Sequence, residues 1–433
     1  MSTAGLKIWH PFTQAHVDPD PLRVVSAQGV YLHTSDGRQI IDAISSWWVN
    51  LHGHCHPRLV AAIAGQARSL DHVLLAGFSH PMVEQLTRKL QHVVPSSLRH
   101  IFYSDDGSTA VEVALKLAVQ YWQNRGRAEK RGIVALEHAY HGDTSGAMSV
   151  SADSGFTDPF AGFRFPVHRV PSAYCLRCPA GKDRSTCQID CVGALGELLQ
   201  NKSREIAAVI VEPLLQGAGG MIVHPVEFLQ RVRQLCTRHD VLLIADEVLT
   251  GFGRCGKMFA CDVAGITPDL MCLSKGITGG VLPLGATLCT GTIFQEFDGR
   301  GRSFFHGHSY TGNPIICAAG VANLEIFETE DVFGRISEIA RHHQQRLCRL
   351  SSHPGVEETR QIGAIAAIEL RANDPGYFST LKPRLYKFFL DHGVLLRPLG
   401  NVIYVMPPYV ITPKELDYVY DVIEEALSEV AGR

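Results

Sequence analysis

Two spacings of apolar residues alternate along the middle of the chain: short continuous runs, and longer stretches in which an apolar residue returns every three or four positions. Val241 to Ala245 (VLLIA) and Leu270 to Leu273 (LMCL) have the length and character of strands buried on both faces. His100 to Ser104, Gly132 to Glu137, Glu205 to Val211 and Pro283 to Thr290 read as further strands. Helical spacing predicts Pro57 to Leu70 and Pro81 to Val93, each with proline near its start, a long helix after Gly107, and Ile315 to Phe327. Val226 to His239 also fits, with Val226, Leu229, Val232 and Cys236 on its apolar face. Before this region, GVYLHTSD and RQIIDAI predict a hairpin, and the Asp- and Pro-rich Trp9 to Leu22 no regular helix. After it come predicted helices over 335–350, 380–392 and 414–430, with strands near 361–370, 394–396 and 401–406. The pattern implies an α/β fold with a large domain around a mostly parallel central sheet (56–330) and a smaller α/β domain (331–433). Residues 1–55 form an N-terminal segment expected to pack with the small domain and the active site.

Length supports that division, because 433 residues exceed what one hydrophobic core usually organises. With 40 basic and 43 acidic side chains and a formal charge of -3, there is no electrostatic case for nucleic acid. Apolar runs are short and the opening MSTAGLKIWHPF lacks a signal-peptide core, so no membrane partner and a cytoplasmic location are expected. Most of the twelve cysteines are scattered and read as free thiols. Cys175, Cys178, Cys187 and Cys191 form a C-x2-C-x8-C-x3-C array that could hold a structural zinc or remain four free thiols. His52, His54 and His56 have ligand-like spacing, but only Cys55 stands among them, and no metal is expected there.

Chemistry concentrates at strand ends. The run Val241 to Ala245 delivers Asp246 and Glu247, and Leu270 to Leu273 delivers Ser274 and Lys275, followed by Gly276, Gly279 and Gly280. Ligands of open α/β sheets collect at that edge. A lysine that can hold an aldehyde as a Schiff base and a carboxylate that can keep a pyridine nitrogen protonated suit pyridoxal 5'-phosphate chemistry. A surface lysine and an acidic loop start are the plain alternative. Gly107 and Ser108 open the helix after His100 to Ser104, where free N–H groups could hold a phosphate or simply be capped.

The runs DEVLTGFGR and PDLMCLSKGITGG resemble the signature of the class III (omega) pyridoxal-phosphate aminotransferases. The resemblance extends over nearly the whole chain and implies a fold-type I transferase, with Asp246 at the ring nitrogen and Lys275 as the Schiff-base lysine. It implies that DDGSTAVE, with Gly107 and Ser108, holds the phosphate; Asp106 departs from the family pattern, which has serine there. It further implies that Tyr140 stacks on the cofactor, that Asp143 supports it, and that Glu212 lies in the pocket wall, neutralising an arginine or holding the fold. SFFHGHSYTGNP resembles a loop that crosses a homodimer interface, making His308 and Ser309 candidate donors to the partner's phosphate.

Within the class, SSWW resembles the substrate-lining motif of the diaminopelargonic acid synthases, implicating Trp47 and Trp48. GVLLRPLGNVIYVMPPY resembles their carboxylate-recognition segment, with Arg397 as the ion-pair partner and Tyr404 nearby. The implied reaction is amination of 7-keto-8-aminopelargonate to 7,8-diaminopelargonate in biotin biosynthesis. S-adenosylmethionine is the favoured donor and lysine the alternative, since Phe12 replaces the tyrosine typical of S-adenosylmethionine-dependent members. An omega-aminotransferase for a diamine, β-alanine or an amino-ketone, and a cofactor-binding protein without turnover, are the other readings.

Overall fold

A computed structural model describes residues 8–13 and 20–429. Within them a seven-stranded sheet runs in the order His100–Ser104, Gly285–Cys289, Leu270–Leu273, Leu242–Asp246, Ile206–Val211, Gly132–Leu136, His168–Val170. Gly285–Cys289 is antiparallel to both of its neighbours; the remaining pairings are parallel. Alternate residues of the central strands enter opposite layers, as the two-residue period of a strand requires. Ala208, Ile210, Leu242 and Ile244 join a core with the helix Gly107–Asn124, whereas Val209, Val211 and Leu243 join one with Gly193–Lys202 and Val226–Arg238. Burial on both faces explains why these strands are uninterrupted apolar runs in sequence.

The N-terminal strands Val24–Gln28, Tyr31–Thr34 and Gln39–Asp42 form an antiparallel meander that Val394–Leu395 extends in parallel. The beginning of the chain therefore shares a sheet with its C-terminal part. A third sheet comprises Val356–Ile362, Ile365–Leu370 and Val402–Val405, packed by Val332–Leu350, which meets Pro413–Glu429; Leu381–Asp391 packs on Val394–Leu395 and on Pro413–Glu429.

Two local features depart from expectation. The single strand over 361–370 is a hairpin, turning at Gly363, whose φ of 51° lies in the left-handed region. His168–Val170 and Gly193–Lys202 flank the irregular cysteine-rich segment; the strand has only three residues and the helix buries only Leu195 and Leu199. Such short or weakly patterned elements leave little periodic signal. The Trp9 to Leu22 expectation falls partly on 14–19, outside the described residues; the described part contains no helix. Among the described residues no helix is long and apolar enough to cross a membrane.

Candidate active site

Asp246 is in register with Cys272 on the neighbouring parallel strand, so Lys275, three residues beyond Cys272, emerges at the same sheet edge. There, Lys275, Asp246, Tyr140, Asp143, Glu212 and Trp48 line a cavity of about 690 Å³ that also includes Gly107 and Ser108. The same cavity is not lined by Phe12, Trp47, Arg397, Tyr404, His308 or Ser309.

Asp246 is nearly buried, and its Oδ2 lies 2.6 Å from His141 Nδ1 while Oδ1 accepts the Val248 N–H at 3.1 Å. His141 is fixed in turn by its backbone N–H, which donates to Ser151 Oγ at 2.9 Å; its Nε2 is buried without a hydrogen-bond partner. In the run HAYHGD the family resemblance points to Tyr140 and Asp143 and not to this histidine. Its polar neighbours were visible, but its approach to Asp246 depends on sheet order.

Lys275 begins a single 3₁₀ turn with φ of 46°. Burial lowers its pKa below the ordinary lysine value, opposed by the negative charges of Asp246 and Glu212. Its Nζ stands 5.0 Å from the centre of the Trp48 ring. Asn323, on the helix Pro314–Thr329, secures the turn by donating to the carbonyls of Gly276 and Ile277 at 3.0 and 3.1 Å. His52 supports that asparagine through a 2.8 Å contact with Asn323 Oδ1, and burial lowers the His52 pKa to about 4. His54 pairs with Asp42 at 2.9 Å and His56 approaches Glu330 at 3.4 Å, so the three histidines serve separate structural contacts.

Glu212 accepts the N–H groups of Tyr140 at 2.9 Å and Gly217 at 3.1 Å. Its partners are thus backbone groups, not an arginine, and burial pushes its pKa up to about 7. Burial, followed by the charge of Asp143, raises the Tyr140 phenol above its ordinary range.

At the other end of the cavity, Gly107 opens an 18-residue helix. A Cβ at Gly107 would stand 2.6 Å from Val248 Cγ1, and one at Gly142 would stand 2.5 Å from Ser108 Cβ. Ser108 Oγ lies 2.7 Å from Thr144 Oγ1 and accepts the Thr144 N–H at 3.0 Å. The unusual Asp106 caps the helix, accepting the Thr109 N–H at 2.8 Å, while its own N–H donates to Thr109 Oγ1 at 3.0 Å. His308 Nδ1 lies 3.3 Å from Asp105 Oδ2 in the same chain.

The wall beside Lys275 is a left-handed turn. Ser45, Ser46, Trp47 and Trp48 have φ values of 54°, 45°, 70° and 77°, although none is glycine. Left-handed conformations are disfavoured for such residues. The fully buried Asp42 accepts from Ser46 N and Oγ at 2.9 and 2.7 Å, and Ser45 Oγ donates to the Met406 carbonyl at 2.8 Å. Trp48 is buried and its indole N–H donates to Tyr404 Oη at 3.0 Å. Tyr404 therefore supports the wall from behind. Trp47 faces outward, under the Arg397 guanidinium at 4.4 Å and edge-on to Phe12 at 5.3 Å. Among the described residues no carboxylate pairs with Arg397.

The four clustered cysteines line one small cavity of about 20 Å³, and all twelve cysteines are free. Among the described residues no group of three or more His, Cys, Asp or Glu side chains could hold a metal ion. The zinc expectation is therefore unsupported: convergence on a cavity does not supply a tetrahedral ligand set.

The large cavity fits pyridoxal phosphate chemically. It offers a half-buried amine that would carry the aldehyde, a carboxylate that would face the ring nitrogen and a helix N-terminus that would hold the phosphate, where glycine at 107 and 142 lets the backbone pack closely on Val248 and Ser108.

The family described as Aminotransferase class-III matches residues 12–427. The chain is 47% identical to the adenosylmethionine-8-amino-7-oxononanoate aminotransferase of Synechococcus elongatus, over 98% of this chain and 99% of the relative. It is 42% identical to the Geobacter sulfurreducens enzyme of that name, over 98% and 96%. The crystal structure of the Methanocaldococcus jannaschii enzyme of that name has a TM-score of 0.90 at 36% identity, covering 96% of this chain and 97% of that one. A pyridoxal-phosphate-bound amine transaminase from an uncultivated Pseudomonas species has a TM-score of 0.93 at 33% identity, covering 99% and 100%. With the family match spanning nearly the whole chain, this protein belongs to the class III aminotransferases, enzymes that use pyridoxal phosphate.

Proposed function

We propose that this enzyme transfers an amino group from S-adenosylmethionine to 8-amino-7-oxononanoate (7-keto-8-aminopelargonate), forming 7,8-diaminopelargonate for biotin biosynthesis. The observation that carries this reading is Arg397, a guanidinium without a carboxylate partner among the described residues, laid on Trp47 beside the Lys275 cavity. An acceptor with an apolar chain and a distal carboxylate suits that succession of cation, indoles and amine. Full-length likeness to enzymes whose names specify the donor and acceptor supports the same choice.

Pyridoxal phosphate, when bound, supplies an aldehyde that carries the amino group and a ring that accepts electron density. Lys275 would hold the aldehyde carbon and, once released, move a proton between the substrate carbon and the carrier. Burial lowers its pKa below that of a free lysine, against the opposing charges of Asp246 and Glu212. Asp246, oriented by His141, would keep the ring nitrogen protonated. Tyr140 would cover the ring with Asp143 beside it, while Gly107 and Ser108 would hold the phosphate. Trp47 and Trp48 would flank the acceptor's apolar chain, with Tyr404 fixing Trp48 and Phe12 fixing Trp47.

The reading includes a cytoplasmic homodimer. Free cysteines accord with a reducing compartment, and the buried, unpartnered His308 Nε2 lies in the segment proposed to serve the neighbouring subunit with Ser309. The three-part division at residues 55 and 330 belongs to it too, since the N-terminal part adds the left-handed turn to a site otherwise carried by the other two.

Purified holoenzyme is mixed separately with S-adenosylmethionine and lysine, then with 8-amino-7-oxononanoate, while the visible cofactor band is followed. The expected result is loss of the band with S-adenosylmethionine and its return with the keto acid. Loss and return with lysine alone would reassign the donor. Conversion by amines without return would favour a broader amine transaminase, the reading supported by the 0.93 TM-score to the Pseudomonas enzyme.

A further inference from the structure

Outward from Trp47, a row of aromatic rings extends beyond the cavity. Phe12 meets Trp47 at 5.3 Å and 68°, Phe156 meets Phe12 at 5.9 Å and 76°, and Tyr377 meets Phe156 at 4.5 Å and 75°. All three contacts are edge-on, the edge of one ring meeting the face of the next, and Phe378 lies tilted against Phe156 at 5.7 Å. Phe12 remains 49% exposed and Trp47 38% exposed. These residues come from four separate segments, and an apolar patch assembled that way beside a cavity signals binding more readily than core packing.

The outermost part is built rather than incidental. Gly376 N–H donates to Asn401 Oδ1 at 2.8 Å, and Asn401 Nδ2 donates to the Leu370 carbonyl at 2.8 Å, tying the Tyr377 loop to the segment that bears Arg397. Thr380 N–H donates to Asp374 Oδ2 at 2.7 Å, closing the loop. Lys382 Nζ lies 3.6 Å from the centre of the Tyr377 ring and occupies one of its faces. Gly155 admits the adjoining Phe378, because a Cβ there would stand 2.7 Å from that ring.

We propose that Phe156 is a specificity-determining residue for the amino donor, with Tyr377 as its positioning residue, in an aromatic slot that takes a purine base and neighbouring sulfonium. This rests on the reading of S-adenosylmethionine as donor. Arg397 covers Trp47 at one end of the row and Lys382 covers Tyr377 at the other; each repels a second cation, which directs a sulfonium toward Phe12 and Phe156 between them. A flat purine can stack on the exposed part of Phe12 and meet Phe156 beside it. The keto acid has neither group; its apolar chain and carboxylate are accommodated by Trp47, Trp48 and Arg397. The slot therefore separates two substrates that must use the same Lys275 in turn.

The test titrates holoenzyme with 5'-methylthioadenosine, which carries the purine but no transferable amine, following tryptophan fluorescence. Saturable binding in competition with S-adenosylmethionine is expected. Phe156→Ala should weaken nucleoside binding by about tenfold, as loss of a base-stacking ring does. Tyr377→Ala should weaken it less, with recovery in Tyr377→Phe. Both alanine variants should raise KM for S-adenosylmethionine and leave kcat, the cofactor band and KM for the keto acid near wild type. Absence of nucleoside binding to the wild-type enzyme, or equal impairment toward donor and keto acid, would overturn the proposal. Failure of the proposed reaction itself is read separately, by whether the keto acid restores the cofactor band.

Discussion

Asp246 and Lys275 stand at the ends of adjacent parallel strands, their placement fixed by the Asp246–Cys272 register. By contrast, Trp48 and Tyr404 meet across 356 positions of sequence, and the turn carrying Trp48 runs through four left-handed residues. The first region is rigid because buried strands allow little adjustment. The second is held by hydrogen bonds at the meeting of the N-terminal segment, the large sheet and the C-terminal part. Chemistry common to a family can rest on the first kind of construction, while selectivity can change with the second.

Substitutions should separate the two regions by size and kind of effect. Lys275→Ala would remove both the proposed covalent attachment and the proposed proton carrier, so amino transfer should fall by roughly 10⁴-fold or more. Single-turnover measurement with each donor checks this, and residual turnover near wild type would remove Lys275 from the chemistry. Asp246→Asn keeps the shape but would remove the charge proposed to face the ring nitrogen, and kcat should fall by roughly 10²- to 10³-fold with smaller changes in KM. At the wall, the pattern should invert. Arg397→Ala should raise KM for 8-amino-7-oxononanoate by roughly 10- to 100-fold, with a lesser change in the rate of the donor half-reaction. A uniform loss with both substrates would show that Arg397 supports the fold instead.

Asp42→Asn tests the left-handed turn itself. Asp42 accepts from Ser46 N, Ser46 Oγ and His54 Nε2 within a fully buried environment. The asparagine oxygen can keep the Ser46 N–H bond, but its amide nitrogen cannot accept the Ser46 Oγ and His54 bonds made by Oδ2, so stability should fall by about 2 kcal/mol, measured by urea denaturation. KM for the keto acid should rise with it, because Trp48 loses its seat. Unchanged KM would uncouple the turn from substrate recognition.

The same contrast explains what was legible in sequence. Buried parallel strands announce themselves as apolar runs, and their ends exposed Asp246 and Lys275 to inspection; motif resemblance added Gly107, Ser108 and Tyr140. His141 was missed because its role is a cross-sheet distance to Asp246, and Asn323 because it acts from a helix that reads as apolar. Nothing in SSWW shows that its backbone is left-handed, since the turn depends on Asp42, Met406 and distant packing rather than local propensity. The cysteine array shows the converse: regular spacing suggested a metal that the folded ligand geometry does not support.

The smallest expected effect concerns the charge state of the cavity's inner wall. Burial pushes the Glu212 carboxyl from its reference value of 4.5 up to about 7. Between those values the folded chain keeps a proton that the unfolded chain releases. The resulting stability is present below pH 4.5 and is lost as pH rises through about 7. For Glu212 alone the loss between pH 6 and 8 should be about 1 kcal/mol. Urea midpoints of the apoenzyme across that range measure it, with Glu212→Gln expected to flatten the slope while lowering stability at pH 6, because its amide nitrogen cannot accept a backbone N–H. Glu247 is shifted in the same direction by burial and should retain its own part of the slope in that variant. An unchanged slope in Glu212→Gln would place the titration elsewhere and mean that Glu212 is already ionised beside Tyr140 and Lys275, adding negative charge to the inner wall where this structure favours a neutral acid.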